Sequence, residues 1–148
     1  SHGPPSHIIM NSLYVLVLGL PLEGFHGTGR MFVMFNVGVL GGAFSWMIFN
    51  PHVAVVGMSG GCYSLLGMYL ADLVMNWKEK AHRGKKLAFL LLLVVLDILN
   101  GLSTQSTSTS HSAHTGGYVA GLMIGIVYGR NVKVTGDERK LSMWTLIL

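Results

Sequence analysis

Residues 57–77 read GMSGGCYSLLGMYLADLVMNW, and the rest of the chain is arranged around this stretch. It sets Ser59 between glycines at the head of an apolar run that ends at Trp77, which predicts a helix opening at Ser59. A serine in the first turn of a helix lies beside backbone N–H groups that have no intrahelical acceptor. Those donors and the helix dipole suit a developing oxyanion. Taken alone, G-x-S-G arises often by chance, and Ser59 would then be an ordinary helix cap. The nucleophile reading needs a histidine within reach, and its chemistry depends on the solvent around the run.

Composition settles the solvent. The 148 residues are 51% hydrophobic and 11% charged, with a mean hydropathy of +0.54. Soluble domains carry about 25% charged residues, so most of this chain is expected in lipid, as an all-α membrane protein. The length allows one domain. The chain opens on Ser1-His2-Gly3-Pro4-Pro5 and closes on an apolar run, Leu141 to Leu148. Residues 1–148 are therefore expected to be one transmembrane domain truncated at the N-terminus and at the C-terminus. The net charge of +4 resides in short connectors, not on an aromatic-rich face, so no nucleic-acid partner is expected. A lone Cys62 excludes an internal disulfide framework and a Cys-based zinc site.

Five apolar segments are read as spans: 7–22, 31–49, 59–77, 87–102 and 111–129. They are at or slightly below the ~17–25 residues that cross a bilayer as a helix. Between them lie a Gly-rich connector, 23–30, and an irregular apolar loop, 50–58. A basic stretch follows at 78–86, and a Ser/Thr-rich connector at 103–110. With five spans, all ten Lys and Arg residues fall on one side, in 23–30, 78–86 and 130–140. The other side, 1–6, 50–58 and 103–110, has none. The positive-inside rule makes the first side cytoplasmic.

The polar side chains then sort by depth. Ser59, His114, and the pair His7 and Asn11 all fall near the non-cytoplasmic ends of their spans. His7 and Asn11 are four apart and share a helical face. In the fifth span His114, Gly117, Gly121, Gly125 and Tyr128 form one stripe, and small-residue stripes let membrane helices pack closely. Ser59, Tyr63 and Gly67 offer a matching face on the third span. Packing these faces would bring the Ser59 hydroxyl to the His114 imidazole, a nucleophile with its general base. His7, Asn11 and the Ser59 N–H would then face the oxyanion.

These residues resemble the rhomboid family of intramembrane serine proteases. The family's G-x-S-G serine corresponds to Ser59, with Gly57 before it, and its A-H-x-x-G-x-x-x-G histidine to His114, with Gly117 and Gly121 after it. The H-x-x-x-x-H-x-x-x-N pattern is met by His2, His7 and Asn11, and the tyrosine that packs on the histidine corresponds to Tyr63. Gly19, Glu23 and Gly27 meet G-x-x-x-E-x-x-x-G. Gly19-Leu20-Pro21-Leu22-Glu23, with His26-Gly27 and Arg30, is similar to the eukaryotic secretase-type branch. The family's first helix and most of the loop after it are absent from the sequence.

The resemblance implies a rhomboid-like transmembrane helix bundle and a Ser-His dyad, with Ser59 and His114 catalytic. His7, Asn11 and Ser59 would hold the oxyanion, and Tyr63, Gly57, Gly117 and Gly121 would support them. It implies single-span transmembrane proteins as substrates, no cofactor and no metal. The expected location is a eukaryotic secretory or plasma membrane in preference to mitochondria.

Plainer readings stand beside these. His2 and His26 read as loop residues, and His52 and His111 flank the proposed site. Asp72 and Asp97 read as hydrogen-bonded packing carboxyls, and the methionines as filler or lipid-facing groups. His7 with His114 suggests a metal site, but no carboxylate or cysteine joins them at ligand spacing. Two other functions compete: a catalytically silent rhomboid-like protein that binds transmembrane clients, and a small transporter lined by His7, His114 and Asp97. The first should lose the serine or the histidine; the second should carry polar residues through the full membrane depth.

Overall fold

A computed structural model describes residues 5–49, 58–103 and 111–132. Helix α1 (Pro5–Tyr14) runs through a wide π turn (Val15–Gly19) into α2 (Leu20–His26), and α3 (Thr28–Phe49) follows at once. Then come α4 (Ser59–Met75), α5 (Arg83–Ser103) and α6 (His111–Tyr128), and the described residues contain no strand. Tyr14, Gly19 and Leu20 all have right-handed helical torsions, so the first three pieces form one continuous rod. Pro21 accounts for the π turn. It has no N–H to donate, and its ring crowds the carbonyl one turn back, so the ladder before it widens.

The expected connector 23–30 shrinks to a single residue. Gly27, at φ 87°, ends α2 with its N–H on the Glu23 carbonyl at 2.8 Å, and its own carbonyl accepts the Met31 N–H at 3.0 Å. Only glycine adopts that torsion freely, so the polar letters around it stay helical. Likewise the basic stretch 78–86 is partly helical, since α5 begins at Arg83. The loop 50–57, the connector 104–110 and residues 133–148 lie outside the described residues, and with them Gly57, His52 and the apolar end Leu141–Leu148.

Small residues bind α3, α4 and α6 into the core. A Cβ on Gly117 would lie 2.1 Å from the Gly60 carbonyl oxygen, and one on Gly121 would lie 2.2 Å from that of Ser64. On α3, a Cβ on Gly42 would meet the Ala113 carbonyl at 2.9 Å, and one on Gly38 would run into Ser64. The fifth-span stripe is therefore a packing seam, as expected, and Gly67 meets it as expected, but Gly60 and Ser64 take the places expected of Ser59 and Tyr63. Ala71 extends the same face along α6. Tyrosine is too bulky for a seam in which backbones touch, so Tyr63 lies beside it.

Helix α4 occupies the centre, with Leu65, Leu66, Met68 and Leu73 at most 1% exposed. Large apolar side chains instead cover the outside: Leu20 is 58% exposed, Phe32 69%, Leu40 67% and Phe44 66%. Small-residue seams between helices, inside an apolar shell, are what a lipid solvent favours. Ile8–His26 and Thr28–Phe49 are long and apolar enough to cross a membrane. The chain is an all-α membrane bundle.

At the end of the bundle away from Ser59 a polar cluster locks α2, α4 and α6. Lys80 pairs with Asp72 at 2.7 Å and stands over the Phe25 ring at 3.9 Å. Asn76 donates to the Asp72 carboxylate at 2.9 Å and accepts the Val132 N–H at 2.7 Å. His26 is only 6% exposed, and its Nδ1 accepts the Arg130 N–H at 2.9 Å. Asp72 thus has the packing role expected of it. His26 does not belong to a loop: it closes the bundle end.

Candidate active site

Ser59 is the first residue of α4, 5% exposed, and Met58 is the cap. The first intrahelical bond runs from the Cys62 N–H to the Met58 carbonyl, so the Ser59 N–H precedes the bonded register. Ser59 is therefore not spent as a cap. His114 lies in the first turn of α6 and is 8% exposed. The seam contact between Gly60 and Gly117, each beside one of these side chains in its helix, puts the two helix beginnings against each other.

The His114 imidazole is held on a tyrosine face. Its ring stacks on Tyr63 with centroids 3.8 Å apart and planes 12° from parallel. Tyr14 of α1 stacks on the far side of Tyr63 at 6.0 Å, and His111 meets His114 edge-on at 6.3 Å. The Tyr63 hydroxyl donates to Oδ1 of Asp97 on α5. The same carboxylate oxygen lies 3.9 Å from His114 Nδ1. Asp97 is hydrogen-bonded, as a packing carboxyl would be, but to the tyrosine that carries the His114 ring, and it stands near His114 without a hydrogen bond to it.

On the α1 side, the Cys62 thiol donates to the Asn11 carbonyl at 3.7 Å, so Asn11 lies against the first turn of α4. His7 lies one turn earlier on α1, and its side chain is outside the described residues, as is His2. Gly117 and Gly121 are buried in the seam.

A cavity of about 450 Å³ opens beside these groups, lined by Tyr63, Asp97, His111, His114 and Tyr118 among others. Asp97, His111 and His114 can bring one ligand atom each to within 4.8 Å of one another. From the sequence, Asp97 reads as a packing carboxyl and His111 as a residue flanking the site; the structure puts both beside His114. The available signal for Asp97 was an ionisable group within an apolar span, which marks function by default. For His111 it was its spacing of three from His114, which puts both on one helical face.

The profile of the rhomboid domain matches residues 1–131. The chain is 28% identical to human (Homo sapiens) rhomboid-related protein 3 over 99% of its own length and 38% of that protein's. It is 34% identical to rhomboid-related protein 2 of Mus musculus, over 84% of the chain and 44% of the relative. An inactive rhomboid-related protein 2 of Caenorhabditis elegans is 29% identical over 86% of the chain and 38% of the relative. The chain thus spans less than half the length of these relatives.

Proposed function

The chain belongs to the rhomboid family, and on that premise we propose that it is an intramembrane serine endopeptidase. The observation that supports this reading is a His114 ring stacked on Tyr63 beside Asp97, on a helix whose first turn packs against the α4 turn that Ser59 opens. Ser59 Oγ attacks the scissile carbonyl as His114 takes its proton, and His114 then protonates the leaving amine. The Ser59 N–H, Asn11 and His7 receive the oxyanion; one such donor is worth about 3 kcal/mol in the transition state.

Asp97 acts through His114. A neutral imidazole that accepts a proton at one nitrogen carries its own at the other. A carboxylate beside Nδ1 keeps that proton on Nδ1 and leaves Nε2 as the base. Tyr63 fixes the carboxylate by hydrogen bond and the ring by stacking.

Depth also favours intramembrane chemistry. With 17 residues α4 is about 26 Å long, a turn or so short of a ~30 Å hydrocarbon core. A nucleophile at its head is therefore recessed below the membrane surface. The substrate is a transmembrane segment of another protein. Its peptide carbonyls are engaged while it stays helical, so cleavage requires a locally unwound stretch, and water enters through the cavity beside His111.

Labelling in detergent or liposomes with a fluorophosphonate or isocoumarin probe tests the reading. Wild type should label, and Ser59→Ala and His114→Ala should not. A folded wild type that never labels would instead support a client-binding, silent rhomboid-like protein; the C. elegans relative is named inactive.

A further inference from the structure

We propose that Asp97, His111 and His114 form a divalent-cation site that takes Zn²⁺ and, when filled, silences the base. The inhibitory half rests on His114 acting as the general base; the binding half does not.

The donor set suits this ion. Two imidazoles and one carboxylate are nitrogen and oxygen ligands of the kind Zn²⁺ accepts in three-ligand sites, with a fourth position left open. His111 and His114 are three apart on α6 and so project from one face, while Asp97 faces them from α5. Ligand bonds of about 2.0–2.2 Å in a tetrahedron require donors about 3.3–3.5 Å apart. The donors here are already within 4.8 Å, with Nδ1 of His114 and Oδ1 of Asp97 at 3.9 Å. Closing the site needs shifts of about an ångström, and His111, exposed at the first residue of α6, has the freedom to supply most of them. The open fourth position would face the cavity of about 450 Å³.

The consequence for chemistry follows from the tautomer. As a base toward Ser59, His114 needs its proton on Nδ1 and its lone pair on Nε2. A metal ion bound through Nδ1 takes the lone pair there, and the single proton of the neutral ring must move to Nε2. Nε2 is then a donor and cannot accept from the serine. Zn²⁺ also takes up the carboxylate of Asp97, removing the group that favours the active tautomer. Nothing is oxidised or reduced, and no covalent bond to substrate forms. The site is an off-switch set by cation occupancy.

Two measurements separate the two halves. Co²⁺ added to Ser59→Ala reports ligation by its visible ligand-field spectrum, with no catalysis involved. The intense bands of four-coordinate cobalt are expected, and they should be lost in Ser59→Ala combined with His111→Gln. Buffered free Zn²⁺ should abolish probe labelling of the wild type, and a chelator should restore it. Measured against its own metal-free labelling, His111→Gln should need at least tenfold more Zn²⁺ for the same fractional inhibition. A weak octahedral spectrum, a tetrahedral one that survives His111→Gln, or equal zinc sensitivity in that variant would each overturn the proposal. Should the wild type fail to label at all, the cobalt spectrum still decides the site, and only the protease reading falls.

Discussion

The two ends of the α4–α6 pair carry polar clusters of similar size and opposite character. At the end away from Ser59, Asp72, Asn76 and Lys80 are spent on one another and on backbone groups, with polar contacts of 2.7–3.4 Å. At the other end Tyr63, Asp97, His111 and His114 are drawn together by ring contacts and a single carboxylate, and about 450 Å³ of open space adjoins them. A cluster that satisfies itself is a fastening. A cluster that leaves room for another molecule is a site. Polarity within the membrane marks both, and only the geometry tells them apart.

The largest contrast should come from histidine against asparagine in activity. His114→Ala removes the base and should lower cleavage of a transmembrane substrate by about 10³–10⁴-fold. Asn76→Ala should leave turnover per folded molecule within about twofold. An equal loss in both would erase the distinction between the ends.

Next in size is the seam that serves both. Gly117→Val puts side-chain carbon onto the Gly60 carbonyl, which as backbone cannot yield. The expected cost is about 4 kcal/mol or more, read as loss of the folded fraction in detergent. A thermal midpoint within a few degrees of wild type would mean that the helices are further apart than described.

Asn76→Leu tests the fastening itself. It strips the acceptor from the Val132 N–H and one donor from Asp72, and should destabilise by about 2–3 kcal/mol in thermal unfolding. No change would make the Asp72–Asn76–Lys80 cluster incidental.

At the open end Asp97→Asn keeps an oxygen for the Tyr63 hydroxyl but removes the charge beside His114. A fall of about tenfold in kcat, about 1.4 kcal/mol, with KM little changed is expected. Asp97→Glu should recover part of it. A change in KM alone would give Asp97 to substrate binding. Last and smallest, Lys80→Gln should cost about 1 kcal/mol of stability, because the pair is only partly buried and Asn76 still donates to Asp72.

Much of the architecture was legible along the chain because hydrophobic run length and charge asymmetry are one-dimensional signals. Helix α3 starts three residues before the expected span, α4 and α6 start where expected, and the stripe of Gly117, Gly121 and Gly125 is the seam it was read as. Two local features were hidden. The polar letters around Gly27 concealed that a single left-handed glycine suffices to turn the chain. The one-residue offset at Gly60 and Ser64 arose because small size, not side-chain chemistry, decides which residues enter a seam where backbones touch.

What the sequence alone determined is the solvent and the helices, since each depends on residue type at fixed local spacing; the membrane orientation and the roles of Ser59 and His114 stay expectations of that sequence. What only the tertiary structure decided is the company those residues keep. Asp97, seventeen residues upstream of His114 on another helix, meets it because α5 leans on α4 at Tyr63. His26, apparently in a loop, is buried because the end of α6 returns to it. Contacts between helices depend on how closely backbones can approach and in what rotation, and that is settled by packing in three dimensions, not by any spacing along the chain.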